Sequence, residues 1–192
     1  MADKLRAFVA IELDPELKKL INTFEASAKI KAPSGLRWVK ADLLHLTLKF
    51  LGDITPTQVE ELGKALNRVV ANCKPFELQI SGTGAFPNWR NARTLWVGIN
   101  RNDMLTGLFQ QLENEFARLG FSPEGKPFSP HLTLCRVSDT VDPRMVQPMQ
   151  KEFDGFSTIS LPTWKVQEVV LFKSQLQPGG PIYTPLSKHA LK

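Results

Sequence analysis

Two histidines sit in the same tetrapeptide, His45-Leu46-Thr47-Leu48 and His131-Leu132-Thr133-Leu134, and the chain has only three histidines in all. Histidine has an unperturbed pKa close to physiological pH, so two on equivalent scaffolds can divide acid and base work between them. On a strand, side chains alternate, which puts His45 and Thr47 on one face and Leu46 and Leu48 on the other; the second copy behaves likewise. Two such histidines can bracket a centre that needs a proton removed on one side and supplied on the other. In-line displacement at phosphorus has that geometry, because the attacking and leaving oxygens lie opposite each other. The hydroxyls of Thr47 and Thr133 can donate to non-bridging phosphate oxygens as charge builds there. A chance repeat of the tetrapeptide has odds on the order of 1 in 1000, so the repeat is read as function.

The elements around the motifs repeat as well. Leu5 to Leu13 reads as a buried strand, ended by Asp14-Pro15, and a helix follows with Leu17, Leu20, Ile21, Phe24 and Ala28 at helical spacing. Leu36 to Val39 reads as a short strand. The motif strand His45 to Leu51 stops at Gly52-Asp53, and Thr55-Pro56-Thr57-Gln58 supplies a capping box for the next helix. Pro75 to Phe86 alternates as a half-buried strand. From Thr94 the order begins again with a strand at Leu95 to Ile99 and a helix carrying Leu105, Leu108, Phe109, Leu112, Phe116 and Leu119. The second motif strand follows, then a helix capped by Asp142-Pro143 and a strand at Trp164 to Lys173. Arg6 to His45 is 39 positions and Leu95 to His131 is 36, so spacing repeats with motif.

This predicts one bilobal domain over 1–192, with a first repeat at about 5–86, a second at about 94–174, and a C-terminal strand at about 180–187. The lobes divide in the Phe86 to Arg93 loop. Lys188 to Lys192 reads as a loose tail, and His189 within it as a solvated residue without a role.

The 192 residues carry a formal net charge of +5, compatible with a polyanionic partner without establishing one. Two cysteines without CxxC spacing fit a reducing compartment, and the N-terminus lacks a long apolar signal core, so a cytoplasmic location is expected. No apolar run approaches the roughly 20 residues of a membrane span. A zinc site on His131 and Cys135 fails on distance: four residues at about 3.3 Å each place them too far apart for ligand bonds of about 2 Å. No acidic cluster suggests magnesium, so neither metal nor cofactor is expected. Phe86, Trp89, Arg90, Arg93 and Lys126 could track an RNA backbone or serve as rim groups, whereas Trp38, Trp96 and Trp164 read as core.

The paired motifs resemble the 2H phosphoesterase superfamily, and within it the RNA 2′,3′-cyclic phosphodiesterases, also described as 2′-5′ RNA ligases. The likeness rests on HLTLKFLGDI and FSPHLTLCRV, on FPNWRNARTLWVGI between them, and on the late LFKSQL segment. It implies an α+β, bilobal duplicated fold with two antiparallel sheets flanked by helices around a central cleft. It further implies His45 as general acid toward the leaving 3′ oxygen, His131 as general base for water, and a 2′-phosphate product. The partners implied are RNA ends or small nucleotides bearing a 2′,3′-cyclic phosphate, acted on by a monomer. ATP-independent 2′-5′ ligation of tRNA halves at the same centre, and a non-catalytic RNA or nucleotide binding module, remain the alternatives. Phe50 and Arg136 each stand five positions after a motif histidine and could sandwich a nucleobase, a use the resemblance supports. Strict alternation would put an offset of five on the wrong face, so a bulge or strand end is required there.

Overall fold

In the computed structural model, which describes residues 4–157 and 161–192, ten strands and five helices keep the predicted order, but three expected elements are each split in two, among them Trp164 to Lys173, which breaks at Gln167 into strands of different sheets. The first half runs β1 (Leu5–Glu12), α1 (Pro15–Lys31), β2 (Leu36–Trp38), β3 (His45–Ile54), α2 (Pro56–Val70), β4 (Phe76–Leu78) and β5 (Ile80–Phe86). The second runs β6 (Thr94–Ile99), α3 (Asp103–Arg118), β7 (His131–Val137), α4 (Pro143–Val146), α5 (Met149–Ser157), β8 (Trp164–Val166), β9 (Glu168–Gln177) and β10 (Gly180–Ala190).

Helix starts follow their caps. Asp14 accepts from the Glu16 amide at 2.7 Å, and Thr55 and Gln58 close a reciprocal capping box at the start of α2. Asp142 caps α4 as its sequence predicts, but Pro148 then interrupts the run. Proline has no amide hydrogen for the helix ladder, so one expected helix becomes two short ones. Likewise Pro75 to Phe86 splits at Gln79 into β4 and β5, which join different sheets.

One sheet has the order β10-β9-β1-β3, the other β2-β7-β6-β5, and β4 pairs with β8. All pairings are antiparallel. The halves exchange strands: β5 of the first half lies against β6, and β9 of the second lies against β1. Each sheet therefore contains both halves, and the Phe86 to Arg93 loop does not separate them. Helices cross over too, since Phe24 of α1 packs on Phe153 and Phe156 of α5, while Lys49 of β3 pairs with Glu113 of α3. Between sheets and helices lies one large apolar core in which Leu46, Leu62, Leu95, Leu112, Leu132 and Phe153 are fully buried. Leu20, which shares the apolar spacing of α1, is 38% exposed, and Glu25 takes an inward position on α1 instead.

The C-terminus is ordered into the fold, which corrects the loose-tail expectation. Pairing with β9 continues as far as Ala190 opposite Glu168, and the Leu191 and Lys192 amides donate to Gln167 and Cys73 carbonyls at 2.8 and 3.0 Å. His189 is buried, held between Asn67 Oδ1 at 2.7 Å and Ser187 Oγ at 2.8 Å. Polar partners on α2 and on its own strand make an imidazole tolerable there. Among the described residues, no helix is long and apolar enough to cross a membrane.

Candidate active site

The motif strands β3 and β7 lie against each other where the two sheets meet. Both motifs present what alternation predicts: Leu46 and Leu48, like Leu132 and Leu134, are buried, while His45, Thr47, His131 and Thr133 are half-buried on the other face.

Each strand then breaks its alternation at the same place. Ala10 is opposite Thr47 and Val9 opposite Lys49, so Leu48 is an extra residue in β3; Trp96 is opposite Thr133 and Leu95 opposite Cys135, so Leu134 is its counterpart in β7. A bulge of this kind shifts the phase by one residue. Two neighbours in succession turn inward, Leu48 with Lys49 and Leu134 with Cys135, and the next residues, Phe50 and Arg136, emerge exposed on the histidine face. The offset of five is thereby explained. Phe50 is 61% exposed, so its ring is available at the surface rather than packed in the core. A second irregularity, at Gly52 with φ of 69°, lets β3 run on to Ile54 rather than stop at Gly52; the left-handed backbone there suits glycine.

The histidines share one local device. His45 Nδ1 is 2.7 Å from the Leu43 carbonyl oxygen, and His131 Nδ1 is 2.7 Å from that of Ser129. A carbonyl only accepts, so each Nδ1 carries hydrogen and donates, which leaves Nε2 on each ring free to take or give a proton. Burial pushes the pKa of both rings below the ordinary histidine value; the backbone bond opposes this, and the Arg136 guanidinium lowers both further. One cation therefore acts on two imidazoles held by different sheets. Lys18 also lowers His45, whereas Glu12, its cross-strand partner, raises it.

Aromatic side chains frame the rings. His45 packs on Phe8 at 4.8 Å between centroids and meets Tyr183 edge-on at 5.2 Å. Phe8, Ala10, Val170 and Phe172 form a small apolar cluster, with Tyr183 against it, separate from the main core. Phe50 lies opposite Phe8 on this surface, with ring centroids 6.3 Å apart. On the other sheet His131 meets Phe86 edge-on at 4.9 Å and Trp96 at 6.0 Å. Trp96 can lie flat there because its cross-strand partner is Gly84, where an added Cβ would come within 2.3 Å of the indole. Trp96 is thus a wall of the site rather than the core residue expected, whereas Trp164 is buried as predicted. Tyr183 was legible only as part of a late strand; its position beside His45 depends on β10 joining the first sheet through β9.

Other candidates lie elsewhere. Trp89 packs on Phe153, and Arg93 is paired with Asp139 at 3.1 Å. Cys135 is fully buried beneath its bulge, and burial pushes its thiol up to about 12, which removes it as a nucleophile. Among the described residues, no group of three or more His, Cys, Asp or Glu side chains could hold a metal ion.

The family model for LigT like phosphoesterases matches the chain twice, over residues 11–96 and 97–183. The chain belongs to that family. The tandem match places one motif histidine in each copy. An RNA 2′,3′-cyclic phosphodiesterase of Methanothermobacter thermautotrophicus is 33% identical over 95% of this chain and 97% of that protein. Its counterpart in Escherichia coli K12 is 31% identical over 100% of this chain and 99% of that protein. Among solved structures, Escherichia coli LigT complexed with 3′-AMP superposes with a TM-score of 0.77 at 29% identity, covering 99% of both chains.

Proposed function

We propose that this LigT-family chain opens terminal 2′,3′-cyclic phosphates of RNA by general acid/base catalysis between His45 and His131, leaving a 2′-phosphate. The observation that carries the reading is the matched pair of Nδ1-to-carbonyl bonds, which leaves both Nε2 atoms available at the meeting of β3 and β7. The names of the relatives point to the same reaction. His131 Nε2 takes the proton from water as it attacks phosphorus, His45 Nε2 gives one to the departing 3′ oxygen, and the P–O3′ bond breaks as the new P–O bond forms. Thr47 and Thr133 donate to the non-bridging oxygens, where negative charge grows. Phe50 offers a face to the terminal base and Arg136 a guanidinium to its other side or to the phosphate. The assignment of His45 as the acid and His131 as the base follows the family resemblance, since the pKa of both rings is lowered. No step calls for a metal ion.

The pH dependence follows from the direction of both shifts. The base works only above its pKa and the acid only below its own; both are lowered, so kcat/KM is expected to peak below pH of about 6.5. Removing the guanidinium in Arg136→Gln raises both pKa values and should move the peak to higher pH, whatever it does to binding. A wild-type peak above pH 7, or one unmoved in Arg136→Gln, contradicts the electrostatics.

Phosphorus NMR on EDTA-treated protein with a 2′,3′-cyclic-phosphate RNA tests the reaction itself. A 2′-phosphomonoester is the expected product. A 3′-phosphomonoester, or no turnover until a metal is added, would overturn the proposal. With a 5′-hydroxyl RNA present, a new 2′-5′ phosphodiester formed without ATP would reveal the reverse use of the same centre; hydrolysis should dominate because water is far more abundant.

A further inference from the structure

A cavity of about 540 Å³ opens next to the segment that leads into His45, between α1, from Pro15 to Lys29, and the Trp38 to Asp42 segment. None of the four motif side chains lines it. Its wall carries Lys18, Lys19, Lys29 and Lys40 against two acids, Glu25 and Asp42. Only Lys29 is engaged, bonded to Glu25 at 3.1 Å and lying over the Trp38 ring at 5.4 Å. Lys18, Lys19 and Lys40 have no ion-pair partner among the described residues.

Two features tie the cavity to the site. The segment that walls it, Lys40 to Asp42, runs directly into Leu43, whose carbonyl holds His45. The Lys18 charge reaches His45. The floor is also unusual. Glu25 is only 1% exposed, and its Oε1 has no hydrogen-bond partner. Burial raises its carboxyl to about 7, so near neutrality the floor carries a full negative charge only part of the time. An anion entering the cavity meets three ammonium groups without an ion-pair partner, set against the exposed Asp42 carboxylate and a partly neutralised Glu25.

Resting on the proposed phosphodiesterase reading, we infer that this cavity is a subsite for the RNA backbone, in which Lys18, Lys19 and Lys40 engage a phosphate on the 5′ side of the cyclic-phosphate nucleotide. The ligand class is a single-stranded polyanion that continues out of the histidine site. Base stacking plays no part in it, because Lys29 covers one face of Trp38 and Phe153 lies stacked toward the ring at 6.3 Å. The subsite would make the enzyme prefer RNA ends over mononucleotides while leaving the chemistry untouched.

The test uses the full chain, a fluorescent RNA octamer ending in a 2′-phosphate for binding, and adenosine 2′,3′-cyclic phosphate for turnover. Lys19→Ala with Lys40→Ala should weaken octamer binding on the order of tenfold and flatten the slope of log Kd against log salt by about 0.7, the share of one single-strand phosphate contact. Turnover of the mononucleotide should stay within about twofold, since a lost phosphate contact weakens binding without altering chemistry. The control pair Lys74→Ala with Lys165→Ala, exposed and away from the cavity, should leave octamer binding unchanged. Octamer binding unaltered in the cavity pair, or weakened equally by the control pair, overturns the subsite. Failure of the wild type to turn over any cyclic phosphate sinks the phosphodiesterase reading instead, and the binding arm still decides whether the cavity holds RNA.

Discussion

Replacing His45 or His131 by alanine is expected to lower kcat on a 2′,3′-cyclic phosphate by about 10²–10⁴-fold, the usual contribution of a positioned acid or base. The two losses should not add. Once one proton transfer is gone the other has little to act with, so the double variant should lie close to the worse single one. Folding should hardly change. Each ring is half-buried, and its one hydrogen bond goes to a carbonyl two residues earlier, so truncation costs about 1 kcal/mol of stability. Thr47→Val and Thr133→Val should cost less than the histidines, because each removes one donor to the phosphate and leaves proton transfer intact. Near wild-type turnover in either histidine variant would refute the mechanism.

The second large effect is on stability. Lys49 is 2% exposed, and its ammonium sits 2.6 Å from Glu113 and 2.9 Å from the Ser122 carbonyl; the other Glu113 oxygen accepts the Glu124 amide at 2.8 Å. The bulge creates this situation. By turning Leu48 and Lys49 inward in succession, it sends a cation beneath β3, where Glu113 of α3 and the Ser122 carbonyl answer it. Glu113→Ala leaves that charge buried and uncompensated, and should cost about 3–5 kcal/mol in urea unfolding. The paired change Lys49→Met with Glu113→Leu should recover most of that loss, since a well-packed apolar pair of similar volume often replaces a buried ion pair at no cost. If Glu113→Ala costs under 1 kcal/mol, or the paired change is worse than the single one, the ion pair is not what holds the bulge to α3.

These two results separate what the sequence carried from what it did not. The histidines, the threonines, the order of elements and the helix caps were legible because each rests on local chemistry: a repeated motif, a period, a side chain that accepts from the next turn. Phe50 and Arg136 were legible as matching offsets, and those offsets demanded the bulges found at Leu48 and Leu134. Which sheet a strand joins is a long-range matter. Nothing in Ile80 to Phe86 tells that β5 leaves its own half, and Tyr183 and Trp96 reach the site only because of such pairings. The buried Lys49 and Glu25 escaped for a related reason: charged residues read as surface until a partner is placed beside them. His189 escaped because its burial depends on Asn67 of α2, 122 positions away in sequence, and the nearby Ser187 alone does not announce it.

The central claim is that one phosphate is held between two histidines from different sheets. Nitrogen-15 NMR of the histidine rings, followed while 2′-AMP is titrated into the protein, tests it most directly. The signals of His45 and His131 should move together, saturate at one equivalent and titrate at higher pH in the complex, because a bound phosphate favours both charged rings. His189, buried behind α2, should stay where it is. Movement of only one motif histidine, or saturation of the two at different ligand ratios, would mean that they do not share a phosphate, and the account would be wrong.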